Sequence, residues 1–318
     1  MNPTRQVTNI TRVVTPGGIE LPKKYAARRT GKPGFNPPEP GRLRWFFAGV
    51  GGSGKSTFAA SFPKACVLDF IDKMTCIPHW GKGTERFTLA SWDNYKSLFE
   101  DLLADGESGK RYFDTIIFDL IEAVVSKVRS EKSDEFSEAD LLSGRMPIKD
   151  LTRAYGQKGA GWDVVYQEII PLFSQLYEAG YGIGVLSQLH PKYVGDGDNQ
   201  RLTWKYGATP KIVEVVHSFA DFSGLIQADT ESKRVPVTKK VVRGGKTVLV
   251  QDTKVVEVTT HQLVLSQFDP KVNTRQPVQI VHPIIELPEK DGYKAFFDEY
   301  EASCEAKRAR LAESGYKG

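Results

Sequence analysis

Gly49-Val50-Gly51-Gly52-Ser53-Gly54-Lys55-Ser56 fits the phosphate-binding loop pattern G-x-x-x-x-G-K-[ST] at every fixed position. Its surroundings fit as well. Arg44-Trp45-Phe46-Phe47-Ala48 before it reads as a buried strand. Ser56 to Phe62 after it reads as a helix closed by Pro63, which cannot continue one. A strand running into a glycine loop and then a helix aims several backbone N–H groups at one point, with the positive end of the helix dipole behind them. Such a cradle binds a polyphosphate. Gly49, Gly51, Gly52, Ser53, Gly54, Lys55, Ser56 and Thr57 are the expected nucleotide contacts. Lys55 is expected to reach the β- and γ-phosphates, and the Ser56 hydroxyl to ligate Mg²⁺.

Working outward, elements alternate strand and helix from residue 43. Ala65–Phe70, Arg86–Leu89, Thr115–Asp119 and Gly182–Ser187 read as strands. Trp92–Leu103 carries a helical stripe through Tyr95, Leu98, Phe99 and Leu102. Gly161–Ala179 is helical, with Pro171 expected to kink it or begin a new first turn. This alternation predicts an α/β fold: a mostly parallel sheet flanked by helices. After about residue 220 the pattern changes. Phe222–Gln227, Val235–Val242, Thr247–Val250, Lys254–Thr260 and Gln262–Ser266 read as successive strands, with a hairpin signal at Arg243-Gly244-Gly245-Lys246. They predict an antiparallel β extension, followed by a C-terminal helix over 291–313.

A phosphate loop that handles Mg²⁺ needs a carboxylate at the end of a buried strand. Asp119 closes Thr115-Ile116-Ile117-Phe118 and is the expected second Mg²⁺ ligand. Hydrolysis also needs a group to orient the attacking water. Asp69 and Asp72 lie near the end of the second strand, and Asp72 is preferred because it lies beyond it. Gln188 and His190 lie past the Ile183–Ser187 strand, where open parallel sheets bind ligands, and are expected to sense the γ-phosphate.

The chain has 318 residues and a net charge of +4. Residues 1–42 hold eight Lys or Arg against two Glu, so the excess positive charge lies in this Pro- and Gly-rich arm. It has no hydrophobic period and is expected to remain unordered, either as an arm touching nucleic acid or a neighbouring subunit or as a solvated leader that touches nothing. No apolar run approaches a membrane span, and scattered Cys66, Cys76 and Cys304 suit reduced thiols in the cytoplasm. Two further stretches interleave cations with aromatics: Arg145, Lys149, Arg153, Tyr155 and Lys158, then Lys192, Tyr193, Arg201, Trp204, Lys205, Tyr206 and Lys211. Phosphates pair with such cations and bases stack on such rings, so both suit single-stranded DNA. One cation could instead enter a neighbour's nucleotide site as a finger.

Gly49–Thr57, Val67–Asp72, Thr115–Asp119, Val185–His190 and Phe219–Phe222, in that order, resemble phage-encoded ATP-binding proteins of the RecA-like P-loop NTPase class. These are described as single-strand annealing or recombination ATPases, and the resemblance covers roughly residues 43–230. It implies ATP and Mg²⁺ at Lys55, Ser56 and Asp119, a sensing role for Gln188 or His190, and residence in a host bacterial cytoplasm. It also implies action on single-stranded DNA in recombination, annealing or replication, and a nucleotide site left incomplete within one chain predicts a homo-oligomer, ring or filament. The family usually has a Glu where this chain has Asp72. The arm 1–42 and the stretch 231–318 lie outside the resemblance; the latter is read as a β-rich extension and helix packed on the core. An ATP-gated scaffold with little hydrolysis, and a P-loop kinase, are the alternatives.

Overall fold

A computed structural model describes residues 12–14, 20–22, 37–144, 160–194, 201–243, 246–265, 282, 284–288 and 290–314. Two compact units emerge: residues 38–304, and residues 1–37 together with 305–318. In the smaller unit, strands β1 (Arg12–Val14) and β2 (Glu20–Pro22) pair antiparallel. This ladder is what the structure describes of the basic arm before residue 37.

The larger unit is built on one mixed sheet. Its parallel strands are β3 (Arg44–Gly49), β4 (Ala65–Asp69), β5 (Glu85–Phe87), β6 (Thr115–Asp119), β7 (Gly182–Val194) and β9 (Phe222–Arg243). They lie side by side in the order β9-β3-β7-β6-β4-β5. β10 (Lys246–Val264) and β11 (Ile284–Leu287) extend the β9 edge antiparallel, and β8 (Arg201–Tyr206) pairs antiparallel with β7. Trp45, Phe46, Phe47 and Ala48 are all buried, as are Ile116, Ile117 and Phe118. Continuous apolar runs of this kind are what a parallel sheet covered on both faces requires. This is the α/β fold of a P-loop NTPase.

The covering helices are α1 (Lys55–Ala60), α2 (Trp92–Ser108), α3 (Ile121–Leu142), α4 (Ala160–Glu178), α5 (Pro210–Phe219) and α6 (Gly292–Glu313). α2 starts at a capping box in which Ser91 accepts from the Asn94 N–H, a cap worth about 1 kcal/mol. It buries Trp92, Tyr95, Phe99 and Leu102 against Phe118 and Phe70. On the opposite face, Phe296 of α6 stacks edge-on against Phe47, Phe58 and Phe222. At the start of the sheet, Asp221 accepts from the Arg44 backbone N–H and Nε, each at 3.0 Å. That pair clamps the beginning of β9 to the beginning of β3.

Four expectations change. α1 ends at Ala60, two residues short of the expected helix. α4 holds Pro171 inside one helix, which excludes the new first turn there and leaves the kink. β7 does not stop at Ser187; it continues to Val194, because β8 supplies a partner beyond the end of the parallel sheet. The strands read separately after residue 220 are only two, β9 and β10, paired over nineteen positions from Leu225–Val264 to Arg243–Lys246. The basic segment 145–158 lies outside the described residues. No described helix is long and apolar enough to cross a membrane.

Candidate nucleotide site

The loop leaves β3 at Gly49, and backbone crowding fixes that residue. A Cβ there would sit 2.3 Å from the Ile226 carbonyl oxygen. Gly54 precedes α1 in a left-handed conformation, φ +91°, which strongly favours glycine. Lys55 is buried and folds back into the loop. Its Nζ donates to the carbonyls of Gly49 and Val50 at 2.8 and 2.7 Å, and lies 3.4 Å from the Ser53 hydroxyl. Burial lowers the Lys55 pKa, and the charges of Asp119 and Glu122 oppose that fall. The ammonium thus rests on two carbonyls, with two carboxylates in its field.

Ser56, one residue on, donates its hydroxyl proton to Asp119 Oδ2 at 2.6 Å. Asp119 closes β6 and is almost fully buried. Its other oxygen, Oδ1, has no hydrogen-bond partner. Burial pushes this carboxyl up to about 6; the Ser56 bond pulls against the rise, and the nearby Asp69 charge adds to it. A buried carboxylate with one bare oxygen is costly without a cation. The hydroxyl and carboxylate are hard oxygen donors, which Mg²⁺ prefers. The residues present therefore fit Mg²⁺.

Glu122, absent from the sequence reading, joins this group. It lies in the first turn of α3, where burial raises its pKa and bonds from Gln188 and Ser187 oppose the rise. The Gln188 N–H donates to it at 2.6 Å and the Ser187 hydroxyl at 3.2 Å. Its charge reaches both Lys55 and Asp119. The signal was available: Ile121, Val124, Val125 and Val128 repeat at helical spacing and are all buried.

His261 is likewise absent from the sequence reading. It projects from β10 and places Nδ1 3.0 Å from the Ser53 carbonyl oxygen. Its ring fills the space beside Gly54, where an added Cβ would lie 2.8 Å from Nδ1. Nothing local in the sequence signals a contact spanning 208 residues.

The remaining expected residues divide. Gln188 stands beside the loop: a Cβ on Gly51 would lie 3.8 Å from its Nε2. Gly52 is exposed at the loop's apex and Thr57 is half-buried in the first turn of α1. His190 is exposed and pairs in register with Lys205, on the part of β7 that has left the parallel sheet. Asp72 is turned to the edge strand, with Oδ1 3.0 Å from Arg86 Nη2 and its side chain 60 % exposed. Asp69 accepts from the N–H groups of Ile71, Lys73 and Met74, so it holds the turn after β4. Among the described residues, no contact joins Asp72 or His190 to Lys55, Ser56 or Asp119.

A family model described as an AAA domain matches residues 42–257, well over half of the chain; the match takes in the phosphate loop, Asp119, Glu122 and Gln188 and ends before His261. No curated protein matches the chain.

Proposed function

The chain belongs to this AAA-domain family of nucleotide-binding, ATPase-type proteins, and from that premise we propose a Mg²⁺-dependent ATPase that couples ATP turnover to single-stranded DNA. The observation that carries the nucleotide half is the Ser56–Asp119 bond, with a bare buried Asp119 oxygen and the Lys55 ammonium beside it. In this reading Lys55 exchanges its two carbonyl partners for phosphate oxygens when ATP binds. Ser56 and Asp119 hold Mg²⁺, which when bound neutralises charge on the phosphates. The backbone N–H groups of the loop orient the polyphosphate, and positioning supplies most of the catalysis.

Glu122 is our choice for the group that orients the attacking water. It is buried, its charge is felt at Lys55 and Asp119, and its bonds from Ser187 and Gln188 fix it in place. Asp72, the residue favoured by sequence, is engaged with Arg86. Gln188 sits at the joint: its backbone binds Glu122 while its amide lies beside Gly51. It is well placed to pass a change at the phosphates into β7.

The DNA half rests on the β7–β8 hairpin that continues from Gln188. Residues paired in register share a face and alternate along the strands. Pro191 with Trp204 and Tyr193 with Leu202 therefore lie on one face; His190 with Lys205 and Lys192 with Thr203 lie on the other. Tyr193 and Trp204 are 67 % and 41 % exposed. Exposed rings backed by cations suit stacked bases and their phosphates. The resemblance to annealing and recombination ATPases is the source of the assignment to recombination, annealing or replication; self-assembly into a ring or filament follows from the expectation that a neighbour donates a cation in trans.

A second reading, an ATP-gated scaffold with little hydrolysis, is favoured by the occupied state of Asp72. ATP turnover with and without oligo-dT, alongside a size measurement with ATP, separates the two. DNA-stimulated turnover supports the ATPase. Tight ATP binding with no turnover in the presence of DNA supports the scaffold.

A further inference from the structure

β9 and β10 are far longer than the sheet that anchors them. Their roots, at Ile226 and at Leu263 and Val264, are buried, whereas residues 229–236 and 253–257 are exposed. At a rise of about 3.3 Å per residue, the pair extends about 60 Å from that buried root to the last pairing at Arg243–Lys246. Two-stranded ribbons are marginal in water by themselves, and a protein that keeps one this long has a use for its surface.

Charge identifies the use. Residues 232–256 contain seven Lys or Arg and a single Asp, while the whole chain is close to balanced at 43 cations to 39 anions. The acidic residues Asp229, Glu231 and Glu257 fall at the root side of that stretch. Lys233, Arg234, Lys240 and Lys254 are exposed. Lys233 pairs with Glu231 at 3.6 Å, on the surface, where such a pair is weak. Lysines on an open strand edge also discourage unwanted pairing, but the cations here run along both strands and include Arg234 and Arg243. An arm with seven cations to one anion asks for a polyanion.

We propose that the outer β9–β10 ribbon is a nucleic-acid-binding arm that grips the phosphate backbone. A two-stranded ribbon has the width to lie in a duplex major groove, and the same cations can follow a single strand. The root of the arm is joined to the nucleotide site, because His261 of β10 contacts the Ser53 carbonyl and packs on Gly54. Cross-strand bonds stiffen the segment next to it: Gln227 Nε2 to Gln262 Oε1 at 3.4 Å, and the Thr230 and Thr259 hydroxyls at 3.0 Å. A load on the arm is therefore delivered at the phosphate loop. This inference rests on the nucleic-acid reading above and adds a surface to it.

The test uses the full chain and the variant Lys233→Gln, Arg234→Gln, Lys240→Gln, Lys254→Gln, four exposed positions whose loss leaves the core intact. An unchanged melting temperature checks that. Binding of labelled oligo-dT and of a labelled duplex is titrated over a range of salt. The variant should bind at least about tenfold more weakly, with a salt slope shallower by about 0.7 to 0.9 for each phosphate no longer neutralised. Whichever probe shows the larger change identifies the form gripped. Wild type that binds DNA, with a variant of equal affinity and slope, overturns the arm and leaves the β7–β8 hairpin standing. Wild type that binds neither probe overturns both readings. Tighter binding to phosphatidylserine vesicles than to either probe also overturns the arm.

Discussion

Ser56 and Asp119, sixty-three residues apart, meet at 2.6 Å through a hydroxyl and a buried carboxylate. β3 and β6 are separated in the sheet by β7, and their parallel register brings the loop after one strand to the tip of the other. The bond satisfies Asp119 Oδ2 and leaves Oδ1 bare, so the fold holds an anionic site ready for a cation at the expense of stability.

Replacing Asp119 with Asn should separate function from stability. A neutral amide is easier to bury than a carboxylate. In EDTA at neutral pH, Asp119→Asn is expected to melt at the wild-type temperature or above it. It should gain nothing from Mg²⁺ with ATP, where wild type gains several degrees. A large drop in melting temperature would show that the carboxylate is a structural element.

The pH dependence follows from the same group. The folded pKa of Asp119 is raised from 3.8 to about 6, so the folded state binds the proton more tightly than the unfolded chain. Its contribution to stability is full below about pH 4 and is lost as pH rises through 6, a loss of about 3 kcal/mol. Mg²⁺ must displace that proton below pH 6. Its apparent affinity should fall about tenfold per pH unit there and be flat above pH 7. Titrations of Mg²⁺ at fixed ATP between pH 5 and pH 8 check this slope.

Lys55→Ala should remove ATP binding, because it deletes the cation facing the phosphates. A loss of at least about a hundredfold in affinity is expected, since a charge-assisted contact in a buried site is being deleted. Equilibrium binding with a fluorescent ATP analogue measures it.

Glu122→Gln keeps an acceptor for the Gln188 N–H and removes the carboxylate. Turnover should fall by about 10²- to 10⁴-fold while ATP affinity stays within a few-fold of wild type. Asp72→Asn should leave turnover nearly intact. If Asp72→Asn abolishes turnover and Glu122→Gln does not, the water-orienting role returns to Asp72.

His261→Ala deletes the partner of the Ser53 carbonyl and opens space beside Gly54. ATP affinity is expected to weaken by about three- to tenfold, the scale of one hydrogen bond. Any stimulation of turnover by DNA should fall further than affinity does. Equal loss in both would confine His261 to shaping the loop.

The phosphate loop and Asp119 are legible in the sequence because their signals are local: a fixed spacing, and an apolar run ending in a carboxylate. The parallel sheet is legible for the same reason, since Trp45–Ala48 and Ile116–Phe118 are apolar without alternation. What sequence does not supply depends on distant partners. β7 runs on past Ser187 through Pro191 and Lys192, which read locally as a loop, because β8 pairs with it. Asp72 reads as a free carboxylate until the fold sets Arg86 of β5 opposite it. Glu122 needs α3, whose helical spacing stands behind the more prominent Asp119. His261 needs the register of a nineteen-position ladder to bring it beside Ser53.

The central claim is a Mg²⁺–ATP site formed by Lys55, Ser56 and Asp119. The most direct measurement is calorimetric titration of ATP into wild type and Asp119→Asn, each with Mg²⁺ and with EDTA. Wild type should bind more tightly with Mg²⁺, by at least about tenfold, and Asp119→Asn should show no difference between the two conditions. Equal enhancement by Mg²⁺ in both proteins would contradict the account.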